Sequence, residues 1–453
     1  MSEPVEDGNL AVVILAAGQG TRMKSARSKV LHEIAGRPML AYPLALAESQ
    51  RPQRLLVVVG RDGKAVEEGF AGRCGFVVQE EQRGTGHAVQ IALPALEGFK
   101  GDVLILYGDT PLLRSETLTR MRDHKAASGA PLVVLSSPEP LPGRVVRGAD
   151  GRVLRIVEMT DATPEEAEIQ EGNTGVYLVD SELLARSLSK LDDHNQQGEL
   201  YLTDIVEQAV SQGLPVEALC LEEAEEALGV NTRAELAQAT AAQQRRNVEH
   251  WMREGVTFID PESSYVDTDV EIGADSQIDP GVLISGSCRL GRRVHVKAHS
   301  VIESSQLDDD VVVGPHAHLR PGSRLRQGVR VGNFVEVKNS DLGVGVKADH
   351  LAYIGDADVG AGSAFGCGSI TVNYDWEAKH RTRVGSGVNV GCNANLIAPV
   401  EIADGAAVAA GSTVTHDVPE RALAVARARQ KNVEGWRDRR PTAPSPAAPK
   451  KDS

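Results

Sequence analysis

Residues 266–302 read VDTDVEIGADSQIDPGVLISGSCRLGRRVHVKAHSVI, and an aliphatic side chain recurs in this stretch at every sixth position. An α-helix repeats about every 3.6 residues, and the side chains of a strand alternate, so neither element gives this spacing. A chain that turns a corner at each repeat does, because its short strands close into triangular coils with the repeated side chains stacked inside. The stretch therefore predicts a parallel β-helix. Its aliphatic positions are Val266, Ile272, Ile278, Ile284, Leu290, Val296 and Ile302.

The repeat extends, with short slips, through most of the second half of the chain. We assign residues 257–436 to the β-helix. Residues 437–453, RDRRPTAPSPAAPKKDS, are rich in proline, alanine and lysine and are predicted to be disordered. The further aliphatic positions are Leu307, Val313, Leu319, Leu325, Val331, Val337, Leu342, Ile354, Val359, Phe365, Val384, Val390, Leu396, Ile402, Val408 and Val414.

Residues 1–230 alternate apolar runs with helical stretches, which is typical of an α/β domain with a Rossmann-like, mostly parallel sheet. In such sheets ligands bind beyond the carboxyl ends of the strands, and Gly18, Gln79 and Asp109 lie at or just past such ends. The sequence therefore predicts a binding site there. The predicted strands are Leu10–Leu15, Arg54–Gly60, Gly75–Gln79, Val103–Tyr107, Pro131–Leu135 and Thr174–Val179, and the predicted helices are Pro38–Gln50, Ala88–Leu96, Glu116–Ser128 and Ile205–Gln212.

A single helix is predicted at residues 231–256. Thr232 and Glu235 have the spacing of a capping box, and residues 237–253 contain neither glycine nor proline. Because its apolar period is poor, we interpret this helix as an arm that connects the two domains and not as a core helix.

The glycine-rich turn LAAGQGTRM, residues 15–23, follows the first apolar run, and Lys29 comes shortly after it. Small residues let backbone N–H groups close on phosphates, and Arg22 and Lys29 supply positive charge. Met23 stands where both a Walker A loop and a dinucleotide fingerprint need glycine, so neither of these motifs is present. The turn predicts a phosphate loop of another kind, with an ordinary turn after a strand as the alternative.

Composition argues against several classes of protein. The formal net charge of −15 argues against a nucleic-acid partner. No run approaches the roughly 18 apolar residues of a membrane span, and the acidic start MSEPVEDGN does not resemble a signal peptide. We therefore expect a cytoplasmic protein with reduced thiols. Its cysteines, which lack metal-ligand spacing, are Cys74, Cys220, Cys288, Cys367 and Cys392.

In chain order the sequence contains the stretches LAAGQGTRM, SKVLHEIAGRPM, QEEQRGTGHA, LYGDTPLL, EGNTGVY, GELYLTDI, HLRPGSRL, VGNFVEVKNS, KADHLAYIGDADVG and SITVNYD. On these motifs the chain resembles, up to Trp436, the bacterial bifunctional enzymes that make UDP-N-acetylglucosamine. Those enzymes join a glucosamine-1-phosphate acetyltransferase to an N-acetylglucosamine-1-phosphate uridylyltransferase. The resemblance implies UTP and acetyl-CoA as co-substrates, a left-handed β-helix and a homotrimer.

The resemblance gives roles to residues of the first domain. Arg22 and Lys29 are implied at the triphosphate, and Asp109 and Asn231 are implied as Mg²⁺ ligands. Such a pair suits a hard cation that keeps several waters. Taken alone, Asp109 would also fit a turn before Pro111. The implied substrate-binding residues are Leu15, Ala16, Ala17, Gly18, Tyr107 and Gly108, with Gln79, Gly84 and Thr85 at the uracil and Gly143, Glu158 and Asn173 at the sugar.

In the β-helix, His350 matches the family's general base for the sugar amine. It lies in an irregular part of the repeat, where solenoids place function. A structural role is the alternative for a lone histidine. Arg320 and Lys338 match phosphate-binding positions. The implied sugar contacts are Tyr353, Asn373 and Tyr374, and the implied acetyl-CoA contacts are Ala364, Cys367, Cys392, Ala410 and Arg427.

The sequence departs from the family pattern at a few positions, most of them in the second domain. Ala364 replaces an asparagine near the acceptor sugar, which removes a hydrogen bond worth about 1 kcal/mol. A reduced acetyltransferase activity or an altered acceptor therefore stays open. The other departures are Ser28 for proline, Cys367 for alanine, Cys392 for serine, Trp376 for glycine and Val433 for lysine.

We expect a bifunctional enzyme that acetylates glucosamine-1-phosphate and then couples the product to UMP from UTP. Two alternatives compete with it. One is a nucleotidyltransferase with a single activity, whose β-helix serves assembly or regulation. The other is a non-catalytic scaffold with the same two-domain plan. The retained charged residues of both sites favour the bifunctional enzyme.

Overall fold

The computed structural model describes residues 9–439, which form two compact units. The first unit comprises the chain up to residue 271 together with residues 283–288. The second comprises residues 272–282 and the chain from residue 289 on. Most of the predicted disordered tail, residues 440–453, lies outside the described residues.

The first unit is an α/β domain built on one mostly parallel sheet, as predicted. Strand Gly172–Asp180 runs antiparallel to both of its neighbours and also carries a hairpin of strands Gly143–Arg147 and Val153–Glu158. The hairpin and the edge strand Val216–Cys220 were not predicted, because charged residues interrupt their apolar runs. Across the sheet the order is Val216–Cys220, Leu132–Ser137, Gly172–Asp180, Asp102–Tyr107, Leu10–Ala16, Arg54–Gly60 and Gly75–Gln79.

Strand Leu10–Ala16 is buried along its whole length, since helices cover both faces of the sheet. Alternate residues enter two different apolar clusters. Val13 packs on one face with Val58 and Ile105, whereas Ile14 packs on the other with Val57. The turn that follows this strand therefore starts from a fixed position inside the sheet.

The helices surround this sheet, and some differ from the prediction. The predicted helix Pro38–Gln50 begins only at Ala41, because Glu33–Ile34 and Arg37–Pro38 form a small antiparallel pair. Within residues 9–439 no helix has the length and apolarity that a bilayer crossing requires. The α-helices are Ala41–Ser49, Lys64–Gly69, Thr85–Gln90, Ser115–Ser128, Pro164–Ala167, Ser181–Leu188, Asp204–Ser211 and Arg233–Arg253, and the 3-10 helices are Thr21–Met23, Lys29–Leu31, Leu93–Leu96, Ala224–Ala227 and Pro261–Ser263.

The long helix Arg233–Arg253 begins with the predicted capping box. The Thr232 hydroxyl accepts a hydrogen bond from the backbone of Glu235, and the Glu235 carboxylate accepts one from the backbone of Thr232. The expectation of an arm without a core role is wrong. Ala239 and Ala242 are buried in an apolar cluster, and their small side chains make a packing stripe too weak in hydrophobicity for the period to reveal.

The second unit is a parallel β-helix, as the sixfold repeat predicts. Every predicted aliphatic position of the repeat is buried. The strands stack in three sheets. One holds Gln277–Ile278, His295–Val296, Val312–Val313, Arg330–Asn333, Lys347–His350, Ala364–Phe365, Asn389–Val390, Ala407–Val408 and Leu423–Ala424. The second holds Val301–Glu303, His318–Leu319, Glu336–Lys338, Tyr353–Gly355, Ile370–Val372, Asn395–Ile397 and Thr413–Val414. The third holds Arg289–Leu290, Gln306–Leu307, Arg324–Leu325, Asp341–Leu342, Ala357–Val359, Thr382–Val384 and Val400–Ile402.

Four further short strands precede or accompany these coils. Strands Tyr265–Val266 and Leu283–Ser285 pair in parallel within the first unit. The remaining two are Thr257–Phe258 and Glu271–Ile272.

Candidate active sites

A buried lysine joins the two predicted metal ligands of the first unit. Lys29 Nζ lies 2.5 Å from Asp109 Oδ2 and 3.0 Å from Asn231 Oδ1. Asp109 lies two residues after the end of strand Asp102–Tyr107, and the backbone N–H of Val230 donates to the Asp109 carbonyl at 2.8 Å. The capping-box carboxylate of Glu235 also accepts from the Asn231 N–H at 2.7 Å. Residues far apart in sequence thus present two oxygens to one cation.

A cavity of about 220 Å³ opens beside this cluster at the carboxyl ends of the strands. Gln82 and Glu199 also line it, although the sequence motifs gave them no role. Both lie within stretches that carry the family resemblance, which was the available signal. The predicted nucleotide-site residues that line the cavity are Leu15, Ala16, Ala17, Gly18, Lys29, Gln79, Gly84, Thr85, Tyr107 and Asp109.

The glycine-rich turn has room for a ligand at Gly18. A Cβ added to Gly18 would meet nothing within 4 Å. The 3-10 helix Thr21–Met23 follows, and its N-cap residue, Gly20, has no side chain to cap the N–H groups at its start. A second cavity, of about 600 Å³, is lined by residues 18–21 and 25–28 of the same loop. This geometry fits the predicted phosphate loop.

Gly20 has a different reason to be glycine. Its φ is 62°, and a Cβ there would lie 2.6 Å from Lys29 Cβ. Gly20→Ala is therefore expected to lower the free energy of unfolding by about 2 kcal/mol, through the left-handed backbone and the contact with Lys29. Urea unfolding followed by the helical circular-dichroism signal measures this loss, because every α-helix of the described residues lies in the first unit.

Gly18→Ala is the matched control for that variant. Its backbone needs no positive φ and its Cβ has open space, so we expect no loss of stability. Equal losses in the two variants would contradict the assignment of strain to Gly20.

Arg22 lines neither cavity. It is exposed on the single turn Thr21–Met23, whose inward position is taken by the buried Met23. The structure thus brings Lys29 to the site and leaves Arg22 at its edge, so the role of Arg22 stays a prediction.

The predicted uracil residues are held by a neighbouring segment. Gln79 is buried, and its amide nitrogen donates to the Gly84 carbonyl at 3.2 Å. Gly84 has a φ of 103°, and a Cβ there would lie 2.6 Å from the Leu200 carbonyl oxygen. The Thr85 hydroxyl accepts from the Leu202 N–H at 3.2 Å. These contacts fix the loop against residues 199–202.

The three predicted sugar residues are adjacent across neighbouring strands. Gly143 pairs with Glu158 on one side and with Asn173 on the other. Burial, followed by the negative charges of Asp161 and Asp204, raises the pKa of Glu158. Burial likewise raises the pKa of Asp204 to about 6. This end of the site is therefore acidic, and burial there disfavours the ionised form of both carboxyl groups.

In the second unit, a neighbouring amide orients the predicted base His350. Its Nδ1 lies 2.8 Å from Asn333 Oδ1, and the two residues pair in register on adjacent coils. An amide oxygen can only accept, so this contact requires a proton on Nδ1, and in the neutral imidazole Nε2 then has the lone pair. His350 is exposed, so its imidazole is accessible to a substrate. Asn333 was not predicted, although it lies in VGNFVEVKNS, one of the stretches that carry the family resemblance.

Basic side chains lie close together beside strand Glu336–Lys338. Arg320 donates to the Glu336 carboxylate at 2.8 Å, and hydrogen bonding to Glu336 raises the pKa of Arg320. The ammonium of Lys379 lies beside that of Lys338 and lowers the Lys338 pKa. Two ammonium groups held together favour an anion between them. Lys379 is thus a further candidate for the phosphate site.

Tyr353 and Asn373 meet on the same surface. The Asn373 amide donates to Tyr353 Oη at 3.4 Å and also to the buried carboxylate of Asp356. Asn339 donates to the second oxygen of Asp356 at 2.5 Å. Asp356, which was not predicted as a site residue, therefore holds the amide of Asn373 in place.

Tyr374 begins a surface loop whose tip departs from the family. Tyr374 Oη donates to the Trp376 carbonyl at 2.7 Å. Trp376 is 87% exposed and has a φ of 80°, a conformation that suits the glycine usual there. Backbone N–H groups of Ala378 and Glu377, with His380, lower the pKa of Asp375 to about 2 and close the loop.

Four of the five predicted acetyl-CoA residues lie close together, and the fifth, Ala364, lies apart from them. Cys367, Cys392 and Ala410 occupy equivalent positions on successive coils, and Arg427 donates to the Ala410 carbonyl at 2.9 Å. Ala364 lies on the strand that precedes this stack, paired with residues 347 and 389. The structure thus brings four of these positions together and sets Ala364 at their edge.

Comparison with known proteins identifies the relatives of this chain. Residues 12–248 match the model of the MobA-like NTP transferase domain, and residues 269–304 match the bacterial transferase hexapeptide model of six repeats. A protein of Pelobacter propionicus named bifunctional protein GlmU is 47% identical over 95% of this chain and 98% of its own length. The chain belongs to the GlmU family.

Other GlmU proteins match over similar lengths. The bifunctional protein GlmU of Trichlorobacter lovleyi is 46% identical, over 94% of this chain and 97% of its own length. That of Geobacter sulfurreducens is 44% identical, over 95% of this chain and 99% of its own length. The resemblance inferred from the sequence motifs is therefore confirmed. The chain is a bifunctional enzyme of UDP-N-acetylglucosamine synthesis, with a nucleotidyltransferase and an acetyltransferase that use a nucleotide and acetyl-CoA.

Proposed function

We propose that the β-helix transfers acetyl from acetyl-CoA to glucosamine-1-phosphate, with His350 as the base. The observation that supports this most directly is the 2.8 Å contact between His350 Nδ1 and Asn333 Oδ1, which leaves Nε2 free to take a proton from the sugar ammonium. The amine then attacks the thioester carbonyl, the C–S bond breaks and CoA leaves. Arg320, Lys338 and Lys379 would hold the sugar phosphate.

The first unit would then join N-acetylglucosamine-1-phosphate to UMP. An oxygen of the sugar phosphate attacks the α-phosphorus of UTP, and pyrophosphate leaves. Positioning and charge carry such a transfer, because little covalent help is needed. Lys29 would face the triphosphate, Gln79 with Gly84 and Thr85 would bind uracil, and Glu158 with Asn173 would bind the sugar hydroxyls.

Asp109 and Asn231 fit a magnesium ion. Their side-chain oxygens already converge on one cation, the ammonium of Lys29, at 2.5 and 3.0 Å. Within residues 9–439 no group of three or more His, Cys, Asp or Glu side chains converges on a metal site, so these two oxygens would be the protein's share and waters and phosphates would complete the shell. Bound there, Mg²⁺ would neutralise charge that develops on the phosphates.

Removing divalent cations should separate the two activities. Treatment with EDTA is expected to lower pyrophosphate release at least a hundredfold, because the charge stabilisation of the triphosphate is lost. CoA release should stay within twofold of the untreated rate, since acetyl transfer needs no metal in this proposal. Adding Mg²⁺ back should restore the first activity; a parallel fall of both would count against a metal confined to Asp109 and Asn231.

The proposed enzyme is cytoplasmic and forms a homotrimer through its β-helix, with acetyl-CoA between neighbouring subunits. The exposed apolar side chains of Phe334 and Leu351, which lie beside Asn333 and His350, support a subunit contact there. Light scattering should then give three times the chain mass of 48.2 kDa. A monomer that keeps full acetyl transfer would contradict the shared site. We retain residues 1–230, 231–256 and 257–436 as the proposed functional division.

Two assays on the purified full chain test the proposal. The first follows CoA release from acetyl-CoA with glucosamine-1-phosphate, and the second follows pyrophosphate release from UTP with N-acetylglucosamine-1-phosphate. Both activities are expected. Pyrophosphate release without CoA release would instead support the enzyme with a single activity, with the departures at Ala364, Cys367 and Cys392 as its cause.

A further inference from the structure

Two cysteines lie in register on successive coils of the β-helix. Strands Ala364–Phe365 and Asn389–Val390 pair in parallel, and the same register places Cys392 opposite Cys367. The backbone follows that register through the turn, since Gly366 donates to the Val390 carbonyl at 2.7 Å and Asn393 donates to the Cys367 carbonyl at 2.8 Å. A Cβ added to Gly366 would lie 2.5 Å from the Cys392 nitrogen, which shows how closely the coils approach.

The spacing of such coils suits a disulfide. Neighbouring strands lie about 4.7–4.9 Å apart, and a disulfide joins residues whose Cα atoms are about 4.4–6.8 Å apart. Both thiols are free and both residues are exposed, so both side chains point to the outside of the coil. A disulfide also needs Cβ atoms about 3.5–4.5 Å apart, so oxidation would need side-chain rotation and a small approach of the two coils.

The other cysteines lack this combination. Cys288 is buried, and burial raises the pKa of the Cys74 thiol to about 11, which keeps it protonated and slow to react. Cys220 is exposed but lies in the first unit, on strand Val216–Cys220, where no other cysteine pairs with it in register. Among the five cysteines, only Cys367 and Cys392 are both exposed and in register with another cysteine on the adjacent coil.

We propose that Cys367 and Cys392 are a redox-sensitive pair that closes to a disulfide when the enzyme meets a peroxide. One thiolate attacks the peroxide, so that an S–O bond forms, the O–O bond breaks and water leaves after protonation. The second thiol attacks the resulting sulfenic acid, so that the S–S bond forms, the S–O bond breaks and a second water leaves. In total, two thiols and one hydrogen peroxide give one disulfide and two waters.

Formation of the disulfide would inhibit acetyl transfer and leave uridylyl transfer unchanged. This consequence rests on the proposed function, in which Cys367, Cys392 and Ala410 line the path of acetyl-CoA. A disulfide across two coils would fix both side chains in the space that the thioester arm must enter. The family's alanine and serine at these positions cannot form it, so the switch would be a property of this chain.

Mass spectrometry tests the bond itself, independently of activity. The full chain is treated with hydrogen peroxide, alkylated and digested with trypsin, which separates the cysteines into peptides 348–379 and 384–421. We expect these two peptides joined by a disulfide, and a protein that runs as a single chain on a non-reducing gel. Two separate alkylated or over-oxidised peptides, or a disulfide between two chains, would overturn the proposal. Added acetyl-CoA should slow the reaction by covering the pair.

Activity assays test the switch. Peroxide is expected to lower CoA release at least tenfold, with recovery by dithiothreitol, while pyrophosphate release changes less than twofold. Cys367→Ala and Cys392→Ser are each compared with their own untreated rate and should lose less than twofold. Cys220→Ser, the control, should respond as the unmodified enzyme does.

The outcomes separate the two proposals. If the untreated enzyme releases no CoA, the proposed acetyl transfer fails, while the joined peptides can still form. If the joined peptides form and CoA release persists, the switch is overturned although the enzyme assignment stands. If Cys367→Ala and Cys392→Ser lose activity to peroxide as strongly as the unmodified enzyme, another group is responsible and the pair is excluded.

Discussion

His350→Ala should lower CoA release by about 10² to 10⁴, because no other group then takes the proton from the sugar ammonium. Pyrophosphate release should be unchanged, since Lys29, Asp109 and Asn231 lie in the other unit. Both rates are measured on the same purified protein. The loss should fall mainly on kcat, because His350 acts on the amine while other residues hold the phosphate.

Two further variants sharpen this test. His299→Ala removes another exposed histidine of the β-helix, which stacks on His316 at 5.3 Å, and should leave CoA release unchanged. Asn333→Ala removes the acceptor that orients His350, so we expect a loss of about tenfold and a shifted pH profile. Equal loss of both activities in His350→Ala, or no shift in the pH profile of Asn333→Ala, would contradict these roles.

Lys29→Ala should produce the opposite pattern, with pyrophosphate release reduced by about 10² to 10³ and CoA release unaffected. The ammonium would no longer face the triphosphate. The substitution also leaves Asp109 without its cation in a partly buried site, which is expected to cost about 3 kcal/mol of stability. Urea unfolding of the variant measures that cost separately from the activity.

A double variant distinguishes lost chemistry from lost stability. Lys29→Met with Asp109→Asn removes both charges, so the free energy of unfolding should recover most of the loss while uridylyl transfer stays impaired. Lys24→Ala, at an exposed lysine of the same loop, should change neither quantity. Recovery of pyrophosphate release in the double variant would contradict the roles proposed for both Lys29 and Asp109.

Much of the fold could be predicted from local pattern. The sixfold repeat marked the buried positions of the β-helix, because each coil stacks only on its neighbours and repeats one local rule. The central strands of the sheet were equally visible, since burial on both faces makes them apolar throughout. The hairpin Gly143–Arg147 and Val153–Glu158 was not, because its half-exposed strands carry charges.

The long helix shows the limit of hydrophobic periodicity. Its start was visible in the Thr232 and Glu235 capping box, which depends on neighbouring residues alone. Its packing was not, because Ala239 and Ala242 contribute little to an apolar period and yet are fully buried. Whether a stripe of small residues is buried depends on the elements that pack against it.

The glycine-rich turn, the capping box and the hexapeptide register were determined by the sequence itself, since each depends on residues close together in the chain. Tertiary structure alone decided that Lys29 bridges Asp109 and Asn231, although Lys29 and Asn231 are 202 residues apart in the chain. It also decided that the side chain of Met23 is buried while that of Arg22 is exposed. The same structure decided that Asn333 orients His350 and that Cys367 lies in register with Cys392 on the next coil. The physical reason is that these distances depend on which strands and coils pair with each other, and that pairing joins residues far apart in the chain.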